Sequence, residues 1–297
     1  KFFLIDGHAL FYRAYFAFIK NPLTNSSGMN ISAVYGFANS VLKLIREQKP
    51  EYFGIAFDHK DPTFRHHLYK EYKAHRDAMP DDLICQIPLM YEFVKALGVR
   101  EVTRPGFEAD DVIGTLSRAS AGEGIDSYIV TGDKDMLQLI GDHIHIFNIR
   151  SISKPEEPVL FEPEYVKEKY GIPHTSMVDY LSLLGDSSDN VPGISGVGSK
   201  TAVKLLRQYK TLDNLYANID RIEPKTLRKK IIDGRENAYL SRTLVTIKTD
   251  VPDMDFSIQD FKLAPSFPPS LGEWIKKNNF SSLFKYLDQD VLSSQVK

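Results

Sequence analysis

Acidic side chains are concentrated in three short segments of this 297-residue chain, and their spacing is its clearest sign of chemistry. Glu108, Asp110 and Asp111 fall within four positions, and segments 133–135 and 186–189 each hold a further pair. Carboxylates that converge on one site repel one another unless a cation neutralises them. Hard divalent ions such as Mg²⁺ prefer carboxylate oxygens and also bind phosphate oxygens. The pattern therefore indicates metal-assisted phosphoryl transfer, for which two ions fit an in-line displacement.

Nine acids form the predicted metal site. They are Asp6, Asp58, Glu108, Asp110, Asp111, Asp133, Asp135, Asp186 and Asp189. In the rest of the chain, whose overall net charge is −2, basic residues exceed acidic ones by seven, which suits an enzyme that acts on a polyanion. One cysteine and the lack of any His-x-x-x-His pair argue against zinc, and Mn²⁺ is an alternative to Mg²⁺. Taken singly, each acidic segment also fits a helix cap or a turn.

Apolar runs typical of buried strands end at or just before three of the nine acids, namely Asp6, Asp58 and Asp133. Helical periodicity alternates with these runs, over residues 32–47, 83–97 and 108–120. Strands alternating with helices predict an α/β fold, a mostly parallel twisted sheet with helices on both faces. Because ligands bind beyond the carboxyl ends of such strands, we expect the acids to meet at one edge of the sheet.

The spacing of the acids at 108–111 sets a condition on where their helix begins. On a regular helix Glu108 and Asp111 share a face, whereas Asp110 points elsewhere. Glu108 and Asp110 can therefore both reach a metal ion only if Glu108 precedes the first regular turn. Asp111 would then support the site from behind the direct ligands.

The chain divides into three predicted regions. Residues 1–162 form the α/β core, residues 163–261 a helical region, and residues 262–297 a linker and tail in which Pro265, Pro268 and Pro269 fall close together. Short amphipathic patterns predict the helices of the second region. They cover residues 163–170, 174–184, 199–208, 211–217, 224–232 and 235–247.

A basic and aromatic segment follows the strand that ends near Asp58. Within residues 61–80 it carries Arg65, Lys70, Lys73, Arg76, Phe64, Tyr69 and Tyr72. Cations that follow phosphates and aromatic rings that stack on bases are the features of single-strand binding. We predict a clamp above the acidic site, although a solvated charged loop explains the local sequence equally well.

A glycine-rich turn joins two predicted helices in the second region, at about residues 185–210. Gly193, Gly196 and Gly198 precede Lys200 and Thr201 in an order that matches neither a Walker A loop nor a dinucleotide-binding fingerprint. Free N–H groups at the start of the second helix could hold a phosphate. A basic stripe continues from there along Lys200, Lys204 and Arg207. The turn and stripe predict sequence-independent binding to a duplex backbone.

Several motifs occur together that are characteristic of one family. They are Leu4-Ile5-Asp6-Gly7 with Tyr12-Arg13-Ala14, Ala56-Phe57-Asp58, Thr63-Phe64-Arg65-His66 with Tyr72-Lys73-Ala74-His75-Arg76, Glu108-Ala109-Asp110-Asp111, Thr131-Gly132-Asp133-Lys134-Asp135, and Leu184-Gly185-Asp186-Ser187-Ser188-Asp189-Asn190-Val191-Pro192-Gly193. From Phe3 to about Leu287 the chain resembles the 5′-nuclease domains at the N-terminus of bacterial DNA polymerase I, within the flap endonuclease superfamily. One departure is His8, where an Asn is common.

The resemblance implies a Mg²⁺-dependent, structure-specific 5′–3′ exonuclease and flap endonuclease that acts in primer removal and DNA repair. Its substrates would be 5′ flaps, nicked or gapped duplex and RNA–DNA primers. One ion would be held by Asp6, Asp58, Glu108 and Asp110. The other would be surrounded by Asp110, Asp133, Asp135, Asp186 and Asp189.

The resemblance also assigns the basic and aromatic residues. Lys73 and Arg76 would contact the scissile phosphate, with Tyr12 and Arg13 close to the reacting region. The turn at 193–198 would be a helix–three-turn–helix that grips duplex DNA, with a bound K⁺. We expect a monomer continuous with a polymerase region, located in the bacterial cytoplasm at the nucleoid and not on a membrane.

Two readings from other classes stay open at this point. A PIN-type ribonuclease shares an acidic α/β core but usually lacks a helical duplex-binding half. A non-catalytic DNA-binding module would not need nine converging acids. A phosphatase of the haloacid dehalogenase type is disfavoured, because the position of its second acid is His8 here.

Overall fold

A six-stranded sheet forms the centre of the first half in the computed structural model, which describes residues 1–154, 156–157 and 159–287. Its strands are β1 Phe2–Asp6, β2 Tyr52–Ala56, β3 Arg100–Val102, β4 Ser127–Thr131, β5 Ile144–Asn148 and β6 Leu160–Phe161. The order across the sheet is β3-β2-β1-β4-β5-β6, and every pairing is parallel except the antiparallel β5–β6 pair. The predicted mostly parallel sheet is confirmed.

Thirteen α-helices surround or follow the sheet in the described part of the chain. They are α1 Gly7–Ala17, α2 Ser32–Gln48, α3 Phe64–Leu68, α4 Asp81–Ile84, α5 Ile87–Leu97, α6 Ala109–Gly122, α7 Pro163–Tyr170, α8 Met177–Leu184, α9 Ser199–Tyr209, α10 Leu212–Ala217, α11 Lys225–Asp233, α12 Arg235–Val245 and α13 Pro269–Lys277. None of the described helices has both the length and the apolar character needed to cross a membrane.

Strand β1 is apolar at its first four positions because both faces of the sheet are covered there. Phe3 and Ile5 pack on one face of the sheet with α1, α2, α5 and α13, whereas Phe2 and Leu4 pack on the other with α6 and the helical region. Successive side chains of a strand point to opposite faces, so a strand covered on both sides has no polar side to alternate with.

Helix α1 was not apparent in the sequence, because aromatic and alanine residues surround it without a clear polar face. The helix begins directly after β1, where an Asp6 side-chain oxygen accepts the Ala9 N–H at 3.0 Å. The backbone at Gly7 lies directly against the Phe57 ring. A side chain does not fit there, since a Cβ on residue 7 would lie 2.2 Å from that ring. The strand-to-helix change therefore occurs within one residue of a predicted metal ligand.

A buried ion pair joins the first half to the helical region. Arg65 on α3 donates to both carboxylate oxygens of Asp111 on α6, at 2.6 and 2.8 Å. The same guanidinium donates to the carbonyls of Leu244 and Thr246, at the end of α12. Charged, bidentate hydrogen bonds of this kind fix both distance and orientation.

Two buried glycines cross at the loop that follows α8. Gly185 and Gly193 have positive φ angles of 76° and 58°, and a Cβ on Gly193 would lie 2.4 Å from the Gly185 nitrogen. Between them, Asp186 and Val191 exchange both backbone hydrogen bonds, at 3.0 and 2.7 Å. Only glycine tolerates this combination of conformation and contact. The crossing closes the loop that carries Asp186 and Asp189.

The segment predicted as a linker is packed against the first half. The Leu263 N–H donates to the Glu51 carbonyl at 2.9 Å, and the Trp274 ring of α13 lies 5.0 Å from the Phe93 ring of α5. Its prolines end and begin short elements on the surface of the core, because proline at the first turn of a helix costs no hydrogen bond. The rest of the predicted tail, residues 288–297, lies outside the described residues.

Candidate active site at the carboxyl edge of the sheet

A cleft of about 690 Å³ opens beyond the carboxyl ends of β1, β2 and β4. Five predicted ligands line it together, and they come from four separate places in the chain. They are Asp6, Asp58, Glu108, Asp110 and Asp133. Parallel strands end at the same edge, so residues that are far apart in sequence meet there.

Each of these acids is positioned by the element that it begins or ends. Asp58 accepts the N–H of Ala109, the first residue of α6, at 2.8 Å. Glu108 immediately precedes that helix in an extended conformation, and Asp110 lies in its first turn. The prediction that Glu108 must precede the regular helix is confirmed, and this start allows Glu108 and Asp110 to face the same cleft.

The acids raise one another's proton affinity. Burial, followed by the charge of Asp58, raises the pKa of Asp6 from its ordinary 3.8 to about 7. Burial, followed by the charge of Asp6, also raises the pKa of Asp110 well above its ordinary value. A site whose own cations do not balance its carboxylates favours either protons or added cations.

A second group of acids lies beside the cleft, in the turn after β4 and in the loop after α8. The Asp135 Oδ1 atom is buried without a hydrogen-bond partner, and burial, followed by Asp133, raises the pKa of Asp135 to about 8. Asp186 and Asp189 belong to this group because their charges also raise the pKa of Asp135. An orphaned carboxylate oxygen among other oxygens is a donor that suits a hard divalent ion. Among the described residues, no three His, Cys, Asp or Glu side chains are already arranged around one point as a complete ligand set.

Two basic residues of the clamp face these acids. The Lys73 Nζ lies 2.5 Å from the Glu108 Oε1, and an Arg76 guanidinium nitrogen lies 2.5 Å from the Asp189 Oδ1. Burial lowers the pKa of Lys73, but the charges of Glu108 and Asp189 outweigh it and raise that pKa overall. Both side chains line the cleft and are positively charged, so they are placed to meet a phosphate that enters it.

Three predicted site residues prove to be structural. Asp111 is fully buried, and its oxygens accept hydrogen bonds from Arg65 and from the Glu108 and Lys248 N–H groups, so it cannot be a metal ligand. Arg65 is 2% exposed and cannot contact DNA. Tyr72 is 4% exposed, and its hydroxyl donates to Glu108 at 3.1 Å, so its ring anchors the clamp and cannot stack on a base.

The two predicted site residues on α1 lie in different places. Tyr12 lines the cleft, whereas the Arg13 guanidinium donates to the Ser153 hydroxyl at 2.7 Å and does not line it. Several lining residues were not predicted as site residues, among them His8, Lys60 and Tyr91. Lys60 could have been found, because it lies two residues after Asp58, just beyond a strand end that was itself predicted.

In the glycine-rich turn, one glycine is buried and has a structural role, and the other two are exposed where DNA could contact them. Gly193 is buried and its N–H donates to the Ser241 hydroxyl at 2.9 Å, so the prediction that it contacts DNA is wrong. Gly196 and Gly198 are exposed, and α9 begins directly after Gly198. On α9, Lys200 and Lys204 are exposed and Thr201 is half-buried, while the Arg207 Nε donates to the Gly171 carbonyl at 2.9 Å.

The fold and the acidic cleft define a nuclease, and comparison with known proteins identifies its class. Residues 1–171 match the family model of the 5′-3′ exonuclease N-terminal, resolvase-like domain, and residues 172–268 match that of the 5′-3′ exonuclease C-terminal SAM fold. The chain therefore belongs to the 5′-3′ exonuclease family, which confirms the resemblance and the expected enzyme class.

Similar curated proteins include DNA polymerases I. That of Caldicellulosiruptor bescii is 38% identical over 97% of this chain, and that of Bacillus subtilis is 37% identical over 98%. The matches cover 33% and 32% of those proteins, so the chain spans about a third of their length.

Solved structures share the fold at low sequence identity. A zinc-bound T5 5′-exonuclease matches with a TM-score of 0.67 and 17% identity, over 97% of this chain and 99% of that one. The catalytic core of Rad2 in complex with a DNA substrate matches with a TM-score of 0.61 and 18% identity, over 97% of this chain and 92% of that one.

The raised pKa of Asp6 predicts that the metal-free protein loses stability as pH rises. The folded state keeps the Asp6 proton up to about pH 7, whereas the unfolded chain releases it above about 3.8. Between pH 5 and pH 8 in EDTA, the free energy of unfolding should fall more for the parent than for Asp6→Asn, by on the order of 1–3 kcal/mol. Denaturant unfolding at both pH values measures this difference. Equal falls in the two proteins would contradict the assigned pKa.

Proposed function

We propose that this chain is a Mg²⁺-dependent, structure-specific 5′–3′ exonuclease and flap endonuclease acting on DNA. The observation that carries the proposal is the cleft itself, where five carboxylates from four places in the chain lie with Lys73 and Arg76. Carboxylates on one side of a cleft and cations on the other suit a phosphodiester, which would be held between metal ions and fixed positive charges. Membership of the 5′-3′ exonuclease family supports the direction of cleavage.

Two groups of residues would hold the divalent ions. Asp6, Asp58, Glu108 and Asp110 would bind one, and Asp133, Asp135, Asp186 and Asp189, together with Asp110, would surround the other. When bound, Mg²⁺ or Mn²⁺ would neutralise charge on the phosphoryl oxygens and make a water molecule more acidic. The unpartnered Asp135 oxygen and the raised pKa values of Asp6 and Asp110 support this assignment.

The protein's own cations would act on the charge that develops during cleavage. Lys73 is half-buried and donates to Glu108, and the exposed Arg76 donates to Asp189 through two of its nitrogens, so both cations are held beside the acids. A fixed cation stabilises a transition state most where negative charge grows and water is excluded. Tyr12, at the same wall, would contact the nucleotide beside the scissile phosphate.

The helical region would hold the duplex next to the cut strand. The exposed residues Gly196 and Gly198, followed by the exposed Lys200 and Lys204 on α9, offer contacts to a phosphate backbone. Such contacts position a duplex without reading its sequence. Because similar curated proteins include DNA polymerases I, we infer a role in primer removal and DNA repair, beside a polymerase region in the bacterial cytoplasm.

Asp133→Asn is expected to separate DNA binding from cleavage. The Asp133 Oδ1 accepts the Asp135 N–H at 2.8 Å, and asparagine keeps that acceptor while it removes a ligand charge. Cleavage of a 5′-flap substrate in Mg²⁺ should fall by at least ~100-fold, whereas affinity in EDTA should stay within about 3-fold. Asp142→Asn, in the exposed turn before β5, is the matched control and should cleave normally. Unimpaired cleavage by Asp133→Asn at saturating Mg²⁺ would sink the assignment.

Lys73→Ala and Arg76→Ala are expected to slow the chemical step. Each removes one charge-stabilising group, so single-turnover cleavage of a bound 5′ flap should slow by roughly 10- to 1,000-fold. Lys70→Ala removes an exposed cation from the same clamp and should leave the rate unchanged. If Lys73→Ala and Arg76→Ala cut at the parental rate but bind weakly, both residues only grip the substrate.

The double variant Lys200→Ala/Lys204→Ala tests the duplex-binding surface. Its plot of log K against log salt for nicked duplex should become shallower by up to about 1.8, which is roughly 0.9 for each lost phosphate contact. Lys95→Ala/Lys276→Ala removes two exposed charges from α5 and α13, on the opposite side of the sheet, and serves as the control. An unchanged slope would show that the stripe does not contact phosphates and is an ordinary solvated helix face.

A further inference from the structure

Apart from the buried Arg65, which also lies near Glu108, three lysine or arginine side chains are each paired with one of the proposed metal ligands. Lys73 pairs with Glu108 and Arg76 with Asp189, while the Lys134 Nζ lies 2.5 Å from the Asp186 Oδ2. Lys73 and Arg76 line the main cleft, where a phosphate would replace their present partners. Lys134 is not among the residues that line the main cleft; it lines a small neighbouring cavity of about 50 Å³, and its partner there is the Asp186 carboxylate.

The position of Lys134 places an ammonium inside the second group of acids. It lies between Asp133 and Asp135 in sequence and contacts Asp186, whose side chain is only 10% exposed. A lysine is ordinarily charged at neutral pH, and here its ammonium donates a hydrogen bond to the Asp186 Oδ2 atom. The other Asp186 oxygen accepts the Ser188 N–H at 2.7 Å. Both oxygens of this proposed ligand therefore have partners before any ion binds.

We propose that Lys134 competes with the second divalent ion for Asp186 and thereby keeps the affinity for that ion low. The inference rests on the proposed function, because it takes Asp135 and Asp186 to be ligands. The ammonium and the ion need the same carboxylate oxygen, and two cations at adjoining positions repel each other. The second ion binds only when Lys134 releases Asp186.

The competition has a structural purpose in the metal-free protein. The ion pair attaches the loop after α8 to the end of β4, although the acids on both sides repel each other. A lysine can make this ion pair and still release the carboxylate, because its single ammonium lies on a flexible side chain. The site can thus be assembled before the second ion arrives.

Binding of Mn²⁺, followed by electron paramagnetic resonance without DNA, tests the competition. Lys134→Met should tighten the weaker of two Mn²⁺ sites by roughly 5- to 20-fold and leave the stronger site within about 2-fold. Lys134→Arg, which restores the charge, should bind Mn²⁺ nearly as the parent does. Lys169→Met removes a lysine that lines the same small cavity but donates to the Tyr165 hydroxyl, and it should also bind as the parent does.

Two results would overturn the proposal. If Lys134→Met weakens or loses the second Mn²⁺ site, Lys134 supports the ligands and does not compete for them. If Lys169→Met tightens Mn²⁺ binding as much as Lys134→Met, the effect belongs to net charge and not to the contact with Asp186. Both readouts are independent of cleavage, so a chain that binds two ions but cuts no DNA would refute the nuclease and leave this inference standing.

A second measurement avoids removing the ion pair, in case Lys134→Met does not fold. Lysines of the parent are labelled as ¹³C-dimethyl-lysine, and the Lys134 signal is identified by its absence in Lys134→Arg. As Mg²⁺ fills the weaker site, the Lys134 signal should move to the position of solvent-exposed lysines, with the same midpoint as ion binding. A Lys134 signal that stays unchanged through saturation would show that the lysine never leaves Asp186.

Discussion

The buried pair of Arg65 and Asp111 is the interaction on which the rest of the structure depends. Through hydrogen bonds from one guanidinium group, it connects the base of the clamp to the first turn of α6 and to the end of α12. An Arg65 nitrogen also lies 3.3 Å from a Glu108 oxygen, so the pair directly positions a proposed metal ligand. Removing one partner of such a pair costs about 3–5 kcal/mol, because it leaves the other charge buried and alone.

Charge balance across the cleft follows from this arrangement. With the clamp base held at α6, Lys73 and Arg76 reach Glu108 and Asp189, and the loop after α8 contacts the clamp again where the Lys73 N–H donates to the Asp189 carbonyl. Acids from both halves of the chain are thereby divided among the protein's own cations. What remains unbalanced lies around Asp6, Asp110 and Asp135, where pKa values rise and where added cations would be attracted most.

Much of the architecture and the core of the site could be predicted, because both follow local patterns. Apolar runs ending at Asp6 and near Asp58 identified the strands and the edge where they meet. The helix predicted over residues 108–120 is α6, and its start after Glu108 meets the condition that the acid spacing set. Helix boundaries in the second half agree within a few residues, since their periodicity is regular.

The errors arose where a side chain finds its partner far along the chain. Arg65 and Asp111 each looked functional by type, but they are 46 residues apart and only the folded chain shows that they bind each other. Gly193 was likewise predicted to lie in an open turn. In the structure its N–H donates to the hydroxyl of Ser241, which is 48 residues away in sequence. Tyr72 was misjudged for the same reason, because burial depends on the packing of α6 and the loop after α8 around it.

The packed segment 263–286 determines where this chain can be shortened without opening its core. Leu271, Trp274 and Leu283 complete the hydrophobic layer that covers Phe93 on one face of the sheet, and the Tyr286 hydroxyl donates to Asn39 on α2 at 3.0 Å. Division at residue 261 would uncover an aromatic surface and invite aggregation. A protease that cuts the native protein should therefore spare this segment, and an excised fragment retains a closed core only if it extends beyond Tyr286.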